Sequence, residues 1–122
     1  MGIPLRDCDY TTHTETITLW LRDPRMSARI TYAYFGQTMA MRQAVDQALS
    51  SIHRPVLALF GDDDRLVVTG AVENKLSRIR DGMCTIEHVP QATHCAQIED
   101  QVNDVSALII YWLSRVQSPS SS

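Results

Sequence analysis

The order of apolar segments in the second half of the chain limits the fold most strongly. Residues 55–60 form a continuous apolar run, Pro-Val-Leu-Ala-Leu-Phe, and Gly61 ends it. Such a run without polar alternation is typical of a strand covered on both faces in a parallel sheet. The next apolar side chains recur at helical spacing, which predicts a helix that Asp81-Gly82 terminates. They are Val68, Val72, Leu76 and Ile79.

A second strand and a second helix follow the first pair. The strand is expected from Cys84 to Val89, where Pro90 stops it. The clearest amphipathic pattern of the chain comes next and predicts the last helix. Its apolar positions are Val102, Val105, Leu108, Ile109, Trp112, Leu113 and Val116. This β-α-β-α order predicts an α/β fold with parallel strands and right-handed crossovers.

The first half of the chain, residues 1–51, has the pattern of helices with polar connections. Asp23-Pro24 is expected to open a helical turn, because Pro suits the first helical position. A longer helix is expected from Ile30 to Leu49, although Gly36 weakens its middle and could divide it. Its Met and aromatic stripe favours core packing. If exposed as a lid, the stripe would suit apolar substrates and peripheral contact with a membrane.

Composition excludes several classes of function. The 122 residues allow one domain at most, and the 44% hydrophobic content is that of a folded protein. The net charge of -3 arises from 14 acidic and 11 basic residues without a basic run, so nucleic acid is not an expected partner. No apolar stretch is long enough to cross a bilayer, and the N-terminus lacks a signal-peptide pattern. The three cysteines are expected to be free thiols, as in a reducing compartment. From these features we predict a soluble, cytoplasmic protein.

Polar residues that could perform chemistry follow each predicted strand. Ligands of open α/β sheets bind at the carboxyl ends of the strands. Gly61-Asp62-Asp63-Asp64 follows the first strand, and Thr93-His94 follows the second. An Asp and a His at neighbouring strand ends can form a hydrogen bond in which the Asp fixes the imidazole tautomer. The sequence therefore predicts an acid/base pair that lacks a nucleophile.

The same residues also allow less specific interpretations. Three consecutive aspartates suit a solvated loop or a helix N-terminus. A metal site would need a further close His or Cys ligand or a calcium-loop glycine pattern, so neither a metal nor a cofactor is expected. Cys95 is expected to pack rather than to act as a nucleophile, because adjacent side chains such as His94 and Cys95 generally point apart. Glu99 could position the histidine loop or cap the last helix.

Taken together, these motifs resemble the final third of the α/β-hydrolases. The shared elements are the buried strand ending in Gly61-Asp62-Asp63-Asp64, the helix, and Thr93-His94 with Glu99 five residues later. His94 follows Asp64 by 30 positions, which is a typical separation of the acid and the histidine of the triad in this family. The resemblance implies that Asp64 is the triad acid and His94 the triad base. Residues 20–52 resemble the cap-to-core passage of monoacylglycerol lipases, lysophospholipases and related serine aminopeptidases.

The resemblance implies a division of the chain. Residues 1–51 would be a helical cap-like segment and residues 52–117 the C-terminal β-α-β-α part of a partial α/β-hydrolase fold. The serine-rich tail, residues 118–122, is expected to be disordered.

Two departures from the family pattern are visible. Thr93 stands where the family commonly has Gly, and no Gly-x-Ser-x-Gly motif is present. Neither Ser27 nor Ser50-Ser51 has a nucleophile elbow around it. The resemblance therefore implies that the chain is the C-terminal part of a serine hydrolase that cleaves acyl esters such as lipids. The chain alone is expected to be inactive, because the serine and the oxyanion hole of the family lie upstream of this part. The alternative is a degenerate, non-catalytic module with a binding role, whose open sheet edge favours self-association.

Overall fold

The computed structural model describes residue 2 and residues 6–26 and 29–117. Ser27 and the predicted tail, 118–122, lie outside the described residues. The helices are α1 (Asp7–Tyr10), α2 (Thr14–Arg22), α3 (Tyr32–Ala48), α4 (Thr69–Leu76) and α5 (Val102–Gln117), and the strands are β1 (Val56–Gly61) and β2 (Cys84–Val89). Short 3₁₀ turns at Leu49–Ser51 and Ala96–Ile98 follow α3 and precede α5.

The two strands form a parallel sheet, which confirms the predicted α/β class and strand order. Val56 lies opposite Cys84 at one end of the sheet and Gly61 opposite Val89 at the other. The strand β1 is less buried than predicted for a strand covered on both faces. Only Phe60 and Gly61 of β1 are buried, and its other residues are half-buried. Coverage of both faces requires helices packed on each side of a sheet, and no described helix packs extensively against β1.

The hydrophobic core lies at the carboxyl end of the sheet. Val89, Ala92 and Val105 are buried together, and Leu59 and Leu108 pack against them. The strand β2, the loop after it and the helix α5 therefore meet directly beneath the segment that carries His94. This position matters for the site, because a close-packed support restrains the loop above it.

Asp23-Pro24 forms a single turn, as predicted, but no helix continues from it. The helix α2 ends at Arg22, and the chain turns with the Met26 N–H donating to the Asp23 carbonyl at 3.0 Å. The Asp23 carboxylate also accepts the Arg25 N–H at 2.9 Å. This local bond from an Asp side chain to the backbone favours a turn over a helix.

The helix α3 differs from its prediction in two respects. It runs unbroken through Gly36, and its apolar stripe is not packed as core. Tyr34, Met41 and Val45 are 61%, 64% and 52% exposed. No side chain of α3 is buried, and an ion pair of 2.6 Å between Asp46 and Lys75 joins it to α4. A half-exposed ion pair contributes little to stability, so this helix depends mainly on its own hydrogen bonds.

The helix α4 is shorter than predicted. It ends at Leu76, so that Ile79 is buried beyond the helix and Gly82 forms the later turn at a φ of +78°. The last helix, α5, spans Val102–Gln117 and confirms its predicted pattern.

His88 joins three elements of the sheet region through both of its ring nitrogens. Its Nδ1 lies 3.1 Å from an oxygen of Asp62, and its Nε2 lies 2.8 Å from an oxygen of Glu73. Carboxylates only accept hydrogen bonds, so both nitrogens donate when the ring is protonated. The hydrogen bond to Glu73, which has the larger effect, and the hydrogen bond to Asp62 therefore raise the pKa of His88.

We expect His88→Gln to destabilise the protein in acid more than in alkali. Because the folded pKa of His88 is raised, its contribution to stability is complete below the unfolded pKa of about 6.5 and is lost as pH rises through the folded value. Melting temperatures of the wild type and the variant should differ most near pH 6 and converge near pH 9. His53→Gln, at an exposed site, is the control. A gap between wild type and His88→Gln that is constant with pH would contradict this role.

Candidate active site

The structure brings Asp64 and His94 into contact above the carboxyl ends of the two strands. The distance between the His94 Nδ1 and the Asp64 Oδ2 is 2.9 Å. Asp64 follows β1 and His94 follows β2, so the parallel pairing of the strands produces this contact. Their assigned roles as acid and base remain predictions.

Asp64 is held in a fixed orientation. Its side chain is only 6% exposed, and its second oxygen accepts the N–H groups of Leu66 at 2.8 Å and Val67 at 3.2 Å. Burial alone would raise the pKa of Asp64, but the hydrogen bonds from His94 and the two amides outweigh it, and the pKa is lowered. Asp64 is therefore a charged, oriented acceptor at neutral pH.

The His94 side chain is partly exposed and has one ring nitrogen bound to Asp64. Its side chain is 37% exposed, and the Tyr10 ring packs edge-on against it with centroids 6.0 Å apart. Because the charged Asp64 only accepts, the neutral imidazole carries its proton on Nδ1 and has a lone pair on Nε2. No group in the described part of the chain forms a hydrogen bond with Nε2. The arrangement can accept a proton from an incoming hydroxyl.

Backbone hydrogen bonds join the two loops that carry this pair. The N–H of Asp62 donates to Val89 at 3.1 Å, and that of Asp63 donates to Ala92 at 2.9 Å. Between those acceptors the chain turns sharply at Gln91, whose φ of +61° is uncommon for a residue other than Gly. The loops are therefore fixed relative to each other by the backbone.

A buried carboxylate supports the histidine loop. Glu99 is 5% exposed and accepts hydrogen bonds from the amide and hydroxyl of Thr93, from the Thr11 hydroxyl and from the Thr12 amide. Burial would raise the pKa of Glu99, but these bonds outweigh it and lower the pKa. The sequence pattern singles out Glu99 but gives no signal for Tyr10, Thr11 and Thr12, which belong to no motif and no periodic stripe.

The neighbouring candidates are arranged differently. Asp62 binds His88, and the Asp63 side chain is exposed. Burial first, and then Glu99 and Asp64, raise the pKa of the Cys95 thiol, which disfavours the reactive thiolate.

Within residues 6–26 and 29–117, no group of three or more His, Cys, Asp or Glu is placed to hold a metal ion. None of the described helices is both long and apolar enough to cross a membrane.

Comparisons with known proteins support the fold. The sequence matches no family in a scan of protein families and no curated protein. The structure is similar to the crystal structure of a monoacylglycerol lipase from Paleococcus ferrophilus, with a TM-score of 0.81 and 16% sequence identity. The match covers 96% of this chain and 46% of the lipase, so the chain spans about half the length of that protein. We conclude that the chain has a partial α/β-hydrolase fold, in which helices accompany a parallel two-stranded sheet.

Proposed function

We propose that this chain supplies the acid and the base of a serine hydrolase, while the nucleophile lies outside its 122 residues. The contact between a buried, charged Asp64 and the Nδ1 of His94 carries the proposal. In this arrangement Asp64 would orient the ring, and Nε2, which has no hydrogen-bond partner among the described residues, would be left to accept the proton of a hydroxyl.

The proposed proton transfer uses the Nε2 atom of His94. His94 Nε2 would take the proton of an attacking serine hydroxyl and return it to the leaving alcohol, while Asp64 stabilises the imidazolium. The chain offers no Gly-x-Ser-x-Gly, and that motif also places donors of the oxyanion hole. Loss of one such donor costs about 10²- to 10³-fold in rate, so we expect no turnover by the chain alone.

We infer acyl esters as the substrate class, with monoacylglycerols and lysophospholipids preferred over peptide bonds. A similar solved structure is that of a monoacylglycerol lipase, which supports lipid esters. Exposed apolar side chains on α2 and α3 also suit an acyl chain or peripheral contact with a membrane. They are Leu19, Leu21, Tyr32, Tyr34, Phe35, Met39 and Met41. Three unpaired cysteines are consistent with a reducing, cytoplasmic location.

A non-catalytic binding module is the second candidate. The described sheet has two strands, so β1 pairs with β2 along one edge and has its other edge open. Open edges favour self-association or strand addition by a partner. A soluble, cooperatively melting 122-residue chain would favour this module, whereas insolubility would favour a part of a larger enzyme.

Fluorophosphonate labelling of the 122-residue chain tests where the nucleophile lies. We expect no covalent adduct by intact mass, because the sequence has no Gly-x-Ser-x-Gly motif, which would supply the nucleophile and a donor of the oxyanion hole. A known serine hydrolase labelled in parallel shows that the reagent is active. A stoichiometric adduct on this chain that disappears in His94→Ala would show that the chain carries its own nucleophile.

A further inference from the structure

The carboxylate of Glu99 lies at a junction between two segments that are distant in sequence. Thr11, whose hydroxyl donates to Glu99 at 2.7 Å, is 88 positions away and fully buried. The amide of Thr12 donates to the same oxygen at 3.1 Å. From the other side, the amide of Thr93 donates to the second oxygen at 2.8 Å. The segment before α2 and the loop of His94 therefore share one buried anion.

Both segments that meet at Glu99 also contact His94 or its neighbours. Thr93 directly precedes His94, and its hydroxyl lies within reach of both Glu99 and the Tyr10 carbonyl. The Tyr10 carbonyl also accepts the Cys95 amide at 2.9 Å. Both neighbours of His94 thus form hydrogen bonds with the Tyr10 carbonyl, and the Tyr10 ring packs against the imidazole.

We propose that Glu99 is a positioning residue that holds His94 against Asp64 by binding the His94 loop and the segment Tyr10–Thr12 together. The relevance to catalysis rests on the proposed function, but the structural role does not. Hydrogen bonds to a charged, buried acceptor are among the stronger ones in proteins, and removing the acceptor leaves several buried donors unpaired. The loop would then lose its restraint near Thr93.

The ratio of the two tautomers of neutral His94 reports on this restraint, and it can be measured in a chain that has no nucleophile. While Asp64 accepts from Nδ1, the proton of the neutral ring stays on Nδ1; once the contact loosens, the ring also populates the Nε2–H form. Long-range proton–nitrogen correlation spectra of the imidazole at alkaline pH distinguish the two forms. In the wild type we expect the Nδ1–H form to exceed the other by about tenfold or more.

Variants at Thr11 separate the role of Glu99 from general packing. Thr11→Val keeps the shape but removes the hydroxyl that donates to Glu99, whereas Thr11→Ser keeps that hydroxyl. We expect Thr11→Val to lower the tautomer ratio by about threefold and Glu99→Gln by about tenfold. Thr11→Ser and Glu87→Gln, a half-buried carboxylate of β2, should stay within about twofold of the wild type.

The outcomes distinguish this inference from the proposed function. Spectra are recorded with trimethylamine N-oxide, which favours the compact state, so that a weakened variant stays folded. A folded Thr11→Val or Glu99→Gln with the wild-type tautomer ratio would overturn the role of Glu99 and leave the hydrolase proposal intact. An equal fall of the tautomer ratio in Thr11→Ser and Thr11→Val would also overturn the role of Glu99, because packing and not the hydroxyl would then be responsible.

Discussion

Gly61→Ala is expected to lower the free energy of unfolding by about 3 kcal/mol or more, which for a chain of this size corresponds to a melting temperature about 10 °C lower. A β-carbon at Gly61 would overlap the carbonyl oxygens of Ala92 and Thr93 and would lie 2.7 Å from the Ala92 carbonyl carbon. These atoms belong to the backbone and cannot rotate away as a side chain could. To make room, the loop of His94 would have to move off the end of β1.

Gly36→Ala provides the matched control for this substitution. A β-carbon at Gly36 meets nothing within 4 Å, and the position lies inside the exposed helix α3. Alanine there should be neutral or stabilising by up to about 1 kcal/mol. Urea denaturation of the two variants and the wild type measures both effects. If Gly61→Ala and Gly36→Ala had equal stability, the close approach of the His94 loop to β1 would be incorrect.

The parts of the fold that the sequence predicted are those governed by local pattern. Residues 55–60 and 84–89 are predicted as strands because a short apolar run is ended by Gly61 or Pro90, and both strands are present. The topological rule that parallel strands place their carboxyl ends side by side predicts a contact between an Asp and His94, and the resemblance to the α/β-hydrolases selects Asp64. No precise side-chain packing was needed for either prediction.

The parts that the sequence did not predict depend on contacts between distant segments. Thr11 and Thr12 carry no motif, and their hydrogen bonds to Glu99 appear only when the chain has folded. The stripe of α3 has the pattern of a packed face, yet Tyr34 is exposed. Helical periodicity shows which side chains share a face but does not show what covers that face. At Asp23 the predicted helical turn is a single turn that no helix continues, because the Asp23 side chain competes with the helical backbone.

His94→Ala is expected to have the largest effect of any substitution on chemistry. In the protein that includes the nucleophile, removal of the base should slow acylation by about 10⁴- to 10⁶-fold, the range seen when single triad members are removed. Asp64→Asn should cost about 10⁴-fold, because the amide can favour the wrong imidazole tautomer. His88→Ala is the matched control, since His88 also binds carboxylates, but these are Asp62 and Glu73 and not Asp64. Its acylation rate should stay within about threefold of the wild type.

The most direct test of the proposed acid/base role is fluorophosphonate labelling of the protein expressed from the complete reading frame around this sequence. We predict one adduct per molecule, on the serine of a Gly-x-Ser-x-Gly outside the 122 residues, formed at a rate that His94→Ala abolishes and His88→Ala preserves. A folded protein that forms no adduct, or one that is labelled equally fast without His94, would contradict the assignment of Asp64 and His94 as the acid and base of a serine hydrolase.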